Sequence, residues 1–473
     1  MVLKISLIVL ISGIHDLVVS GNFTSSRSGT RVRSGFEDFK EMLLWSDVFV
    51  DKSLFIRDVL EELAKVVVVV RPRNWGKTTN MAMLRRFFET EISSDGAPIA
   101  EEARINYRLF QGGAVDLGVD GRHVFKALKI TNHSKAMKHM GKYPVISVSF
   151  KPIKGYGYAR ILNVLKVTLM QLFRTHGYLH FFLHGEEKAR FERYLVADLT
   201  EHDVRSGISF LITLLHKRWN KNVVLLIDDY DTPIISSYWE LMEKEKELKG
   251  VIRLFRDIFA FSVNSPFVHK CVVTGLVLFE QANPFKRANV SVAQYSLHSE
   301  KFTEHFGFTE PEVDELLARC PTSMPAAEIK HYYNGFAWGK HNLFNPHSIM
   351  KCLVHDGQLD QYWLDSASSL TIDVRVSKGP MVEDLHHLQN KGLIVDRIYE
   401  EINFMEIFGG FRDMWYSLLV MAGYLDFAED VDETGEYCHL VWIPNQEIKD
   451  KFVPKVFKWW LMNDGDCMIS INM

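Results

Sequence analysis

Four short runs of aliphatic, largely β-branched residues punctuate the chain: Val66–Val70, Val145–Phe150 (VISVSF), Val223–Ile227 (VVLLI) and Cys271–Thr274 (CVVT). Each is apolar on both faces, which predicts central strands of a parallel sheet covered by helices on either side. Helical periodicity lies between them, at Tyr158–His176 and Ser206–Trp219. Ahead of the first run, a turn around Ser46-Asp47 precedes Ser53. That serine is placed to cap an amphipathic helix carrying Leu54, Ile56, Val59, Leu60 and Leu63. Lys135–Lys142 gives a polar approach to the second strand. The fold class predicted is α/β, a parallel sheet with flanking helices over residues 37–295. Beyond Phe302 the pattern breaks into shorter helical pieces with aromatic loops. This predicts a mostly helical second domain over 296–460, a tail over 461–473, and a small hairpin between Tyr424 and Ile443 around DETGE. No internal repeat is visible.

Composition adds bounds. At 473 residues, 47% hydrophobic and 24% charged, the chain has material for two or three cored domains. A formal net charge of −4 gives no reason to expect nucleic acid as a partner, although it does not exclude a local basic groove. Five scattered cysteines without a CxxC pair suggest neither a zinc site nor a disulfide framework. At the start, Lys4 precedes the apolar run Ile5–Ile14, and Leu17–Gly21 ends in small residues. Residues 1–21 thus have the layout of a signal peptide. The run is about half of the ~20 residues a spanning helix needs, so no transmembrane segment is expected. Localisation follows from that segment: secreted or in the secretory pathway if it is a working signal, intracellular otherwise. Residues 22–36, rich in Ser, Gly and Arg, read as a flexible entry segment.

The candidate chemistry sits at strand ends. Val66–Val70 runs into Arg71-Pro72-Arg73-Asn74-Trp75-Gly76-Lys77-Thr78, and a helical pattern follows. A phosphate-binding loop needs backbone N–H groups that converge on phosphate oxygens, a lysine that reaches the β- and γ-phosphates, and a hydroxyl for Mg²⁺. Gly76, Lys77 and Thr78 meet that need, but Arg71 occupies the place of the usual first glycine. The third strand delivers Asp228 and Asp229 at its C-terminal end, where ligands sit in parallel α/β sheets. Asp228 is a candidate Mg²⁺ acid together with Thr78, and Asp229 a candidate to orient and deprotonate water. Asp231 is a spare acid or a turn former. The candidate nucleotide-binding residues are Arg73, Asn74, Trp75, Gly76, Lys77, Thr78 and Thr79, the candidate catalytic residues Lys77 and Asp229, and the ligands ATP and Mg²⁺.

In order along the chain, FVDKSLFIRDVLEEL, VVRPRNWGKTTNMAML, GKYPVISVSF, VVLLIDDYDTPI, CVVTGL, KFTEHFGFTEPEV, HYYNGFAWG with LFNPHSI, YWLDSASS and IPNQEI resemble the AAA-ATPase-like family. The resemblance covers about residues 37–460. It implies a P-loop NTPase sheet and makes the Arg-Pro-Arg segment a family trait. It also implies nucleotide-loop roles for Gly76, Lys77 and Thr78 and a Mg²⁺ role for Asp228. Three departures stand out: Trp75 replaces the usual Phe, Asp229 the usual glutamate, and Leu278 occupies a place where the family tends to have arginine. Arg71, Arg73 or Lys286-Arg287 are the sequence candidates to supply the missing charge. The family's frequent PD-(D/E)xK nuclease-like domain is not expected here. Glu447-Ile448-Lys449, about twenty residues after Asp426, mimics its motif by chance. The aromatic block HYYNGFAWGKHNLFNPHSI is expected to pack and not to stack bases.

Two readings follow. One is an ATP-binding P-loop protein that hydrolyses slowly or acts as a nucleotide-dependent switch. The other is a catalytically inactive binding protein, secreted if the signal is real, that keeps the fold and serves an unknown protein partner.

Overall fold

Residues 66, 68 and 70 of the valine run face one side of a sheet and residues 67 and 69 the other, and all five are fully buried. In the computed structural model this run is β1 (Val66–Val70), followed by β2 (Val145–Ser149), β3 (Val223–Asp228), β4 (Val268–Gly275) and β5 (Val292–Tyr295). They form one sheet in the order β5-β1-β4-β3-β2, with every neighbouring pair parallel. The structure describes residues 24–25, 30–116, 122–155, 157–241, 244–365, 371–376, 384, 387–388, 390–431, 435–450 and 467–472. The apolar run Ile5–Ile14 and most of the tail lie outside them. No helix among the described residues is long and apolar enough to cross a membrane.

One face of the sheet is covered by α2 (Tyr158–Thr175), α3 (Glu201–Trp219) and α4 (Glu245–Val263), through Leu165, Leu169, Leu211, Leu215, Leu254 and Ile258. Helix α3 starts five residues before its predicted place. The reason is a capping box: Asp203 N–H donates to the Thr200 hydroxyl (3.1 Å), and the Asp203 carboxylate accepts from Thr200 N–H (3.1 Å). The other face packs on α1 (Lys77–Phe88), through Met81, Leu84 and Phe87, and on Phe39, Phe55 and Ile56. The helix expected after Ser53 is present as Leu54–Glu61, but the Ser53 hydroxyl does not cap it; it accepts from Ile130 N–H at 3.0 Å.

The pattern did not predict β5, whose four residues VAQY are half-buried at the sheet edge and too short and mixed to stand out. Beyond the sheet the described residues mix helices, among them Glu310–Arg319, Ala326–Tyr333, α5 (Pro346–Val354) and α6 (Arg412–Ala422), with short strands. The expected hairpin is Asp426–Val431 with Tyr437–Trp442, joined by Leu393–Val395 into three strands. A second small antiparallel sheet joins Phe308-Thr309, His341–Phe344 and Phe336–Trp338. The apolar core beneath α2–α4 continues without a break into Trp415, Leu418, Leu419, Val441 and Ile448.

Candidate nucleotide site

The loop after β1 turns by putting two residues in the left-handed region, Asn74 (φ 64°) and Gly76 (φ 83°). Space does not demand the glycine, since a Cβ there would meet nothing within 4 Å; the backbone angle does. Helix α1 opens at Lys77, so the N–H groups of Lys77, Thr78 and Thr79 lie at a helix N-terminus and lack helical partners. This is a ready anion site. The Lys77 ammonium is buried and donates to the carbonyls of Arg71 and Pro72, both at 2.8 Å. Burial lowers its pKa, while Asp229, Asp228 and Asp231 oppose that shift.

Strand β3 brings its carboxylates to the same point. The Thr78 hydroxyl donates to Asp228 Oδ2 at 2.7 Å across 150 residues of chain. The other oxygen, Oδ1, accepts from Asp229 N–H (3.1 Å) and from the Thr274 hydroxyl. Sequence reading did not single out Thr274. Its signal was position: it is the polar residue that ends the predicted strand CVVT, and β4 lies between β1 and β3. One hydroxyl and one carboxylate are hard oxygen donors, the set that suits Mg²⁺, which keeps much of its water. Asp229 is held at φ 52°, and burial, with the neighbouring charge of Asp228, pushes its carboxyl up to about 7. Asp231 is a strut: its buried carboxylate accepts from Leu276 N–H (2.5 Å) and Val277 N–H (2.8 Å).

The remaining loop residues divide in two. Asn74, Gly76, Lys77, Thr78 and Thr79 line a cleft of about 650 Å³. Arg71 faces away from it. Its guanidinium is fully buried, donates to the carbonyls of Val70 (2.7 Å) and Ser296 (2.8 Å), and lies 5.6 Å from the Phe306 ring centre. Burial lowers its pKa to about 9. Arg73 reaches the cleft, but its guanidinium donates to the Trp363 carbonyl (3.0 Å) and lies over the Trp363 indole. Trp75 borders the cleft too, yet its indole is fully buried against Phe336 and Trp338, with ring centres 4.8 and 4.1 Å away. The aromatic block is therefore packing. Lys286 and Arg287 do not line the cleft, and Arg287 pairs with Asp257. Leu278 is buried in a two-residue ladder opposite Glu401. Of the sequence candidates for a compensating cation, Arg71, Arg73 and Arg287 are thus committed elsewhere, and Lys286 lies outside the cleft lining.

The cleft's far wall was missed. Phe36, Met42, Val48, Phe49 and Val50 come from the chain before β1, and Met350 from α5. Asp38 caps a helix at Phe39–Trp45 by accepting from Lys40 N–H at 2.8 Å, which holds that segment in place. Such a wall depends on contacts over tens to hundreds of residues, for which local pattern carries no signal. The nuclease-like triplet is explained as structure: Glu447 accepts from the Ser348 hydroxyl (2.8 Å) and Trp363 N–H (2.8 Å), and Asp426 from Ala337 N–H (2.5 Å).

A family model described as a predicted AAA-ATPase matches residues 33–98 and 119–285, which include β1 to β4, the loop residues from Arg71 to Thr79 and Asp228, Asp229 and Asp231. The chain is also similar to an uncharacterized protein in the vnfD 5′ region of Azotobacter chroococcum mcd 1, 22% identical over 270 residues. That match covers 57% of this chain and 47% of the relative, so the chain spans about half the length of the curated relative it matches. With the parallel sheet, the phosphate-type loop and the family match in agreement, the chain belongs to the AAA-ATPase-like family.

Proposed function

We propose that this protein binds MgATP in the cleft and uses it as a conformational switch, with slow hydrolysis at most. The observation that carries the reading is the 2.7 Å contact between the Thr78 hydroxyl and Asp228, which joins the loop and the β3 carboxylate at one point. The cleft's 650 Å³ lies within the ~300–1,000 Å³ of small-molecule sites. Its apolar wall, Phe36, Phe49 and Met350, would take the base. The amides of Lys77, Thr78 and Thr79 would take phosphate oxygens, and the Lys77 ammonium would exchange two loop carbonyls for the β/γ bridge. Thr78 and Asp228 would hold Mg²⁺, whose part would be to neutralise charge on the phosphates. Asp229 would orient the attacking water, one methylene shorter than glutamate, and Leu278 stands after β4 where the family tends to have arginine. Such a charge is worth ~10³-fold or more in rate, so its absence favours switching over turnover.

The rival, a binding protein without a working nucleotide site, gives the opposite result in one experiment. Thermal unfolding with and without MgATP should show a raised midpoint for the native protein, because a ligand that binds only the folded state stabilises it by mass action. Lys77→Ala should fold and lose the shift. An absent shift at millimolar nucleotide would reject the proposal.

A further inference from the structure

The terminal phosphate of a nucleotide bound as proposed above would lie toward Asp229, and a triphosphate there would call for a cation beyond Lys77. Five cationic side chains line the cleft: Arg33, Lys52, Arg73, Lys77 and Lys151. Lys52 is committed to Glu312 (2.6 Å) and the Glu304 carbonyl (2.6 Å) and is mostly buried. Arg73 is bound to Trp363. Arg33 sits by Phe36, at the apolar wall. Lys151 differs from all of these.

Strand β2 ends beside the carboxylates, because Phe150 N–H donates to the Asp228 carbonyl at 2.9 Å. Lys151 is the next residue, and its amide is turned by a bond to the Ser149 hydroxyl (3.2 Å). Among the described residues its ammonium has one ion-pair partner, Glu37, at 3.3 Å, and the two side chains are 51% and 77% exposed. So long and exposed a pair is weak and readily exchanged. The charge of Lys151 also acts on Asp229, and Lys154 stands close enough to feel both.

We propose that Lys151 is the γ-phosphate-contacting cation of this cleft, the group by which the protein distinguishes a nucleoside triphosphate from a diphosphate, with Glu37 holding it in reserve. The inference rests on the nucleotide-binding reading above and assigns a role that the β4 end cannot fill. Binding would exchange the Glu37 carboxylate for a phosphate oxygen, a charge-assisted bond in a less exposed place. Because Glu37 belongs to the chain segment that walls the cleft, its release would also report occupancy to that wall.

The test is titration of the full chain with MgADP and with a non-hydrolysable β,γ-imido analogue of MgATP. The native protein should prefer the triphosphate. Lys151→Ala should lose about tenfold in triphosphate affinity, the worth of one charged hydrogen bond, and keep its ADP affinity. Lys151→Arg should restore the preference, and Glu37→Gln should increase it. A ratio unmoved by Lys151→Ala, or an equal loss for both nucleotides, would overturn the assignment while leaving nucleotide binding standing. A folded native protein that binds neither nucleotide would sink the nucleotide reading, and this inference with it.

Discussion

The two sides of the phosphate loop are held by different physics. On the β3 side the contacts are polar and few: Thr78 donates to Asp228, which Thr274 also holds, and Lys77 donates to two carbonyls of the loop itself. On the other side the same loop is gripped by apolar groups from the last third of the chain. Trp75 packs against both Phe336 and Trp338, Arg73 lies over Trp363, and Pro72 lies so close to Gly423 that a methyl group there would meet its ring at 2.9 Å. The polar side can exchange partners with a ligand, whereas the apolar side can only hold or let go. Under the proposed function, a loop built this way would couple ligand contacts on one face to packing on the other.

That contrast can be broken most severely at Gly335. It adopts φ 142°, and a Cβ there would stand 1.6 Å from the Pro444 carbonyl oxygen, so Gly335→Ala must push apart the segments that carry Trp338 and Glu447. We expect a loss on the order of 4 kcal/mol or more, read by chemical denaturation; a loss below about 1 kcal/mol would show that this approach is not rigid.

Removing the plug comes next. Trp75→Ala empties a fully buried site and should cost about 3–5 kcal/mol, whereas Trp75→Phe, which keeps an aromatic ring, should cost much less. If the apolar side governs the loop, Trp75→Ala should also weaken the MgATP-induced midpoint shift, measured at a temperature where the variant is folded. An unchanged shift would mean that the polar contacts alone set the loop.

The smallest effect sharpens the comparison by pH. Burial pushes the Glu447 carboxyl up to about 7, against the hydrogen bonds from Trp363 N–H and Ser348. Its folded pKa is above the ordinary value near 4.5, so the native state binds more protons than the unfolded chain in that window. This contribution to stability is complete below pH ~4.5 and is lost as pH rises through about 7. Glu447→Gln can keep both hydrogen bonds and does not titrate. The fall in unfolding midpoint between pH 5 and pH 8 should therefore be smaller in the variant, with the Asp426 contribution, raised to about 6, left in place. Equal falls in both proteins would show that Glu447 is not proton-linked.

Much of the polar side was legible in the sequence. A strand buried on both faces needs a continuous apolar run, and a phosphate-type loop needs glycine, lysine and threonine in adjacent positions; both are local requirements. Asp228 and Asp229 were legible for the same reason, as the first polar residues after VVLLI. Little of the apolar side was legible. Trp75, Trp363 and Phe336 are each recognisable as core residues, but nothing local says that they meet.

By itself, then, the sequence determined four of the five strands, the loop, the β3 carboxylates and the membership of the AAA-ATPase-like family. These rest on periodicity and on backbone conformation, which a few neighbouring residues specify. The tertiary structure decided the strand order that puts Thr274 between the loop and β3. It also decided the burial of Arg71, the apolar wall before β1 and the place of Lys151 beside Asp229. Those depend on which distant surfaces exclude water together, and apolar burial is non-directional: a hydrophobic side chain records that it will be covered, not by what.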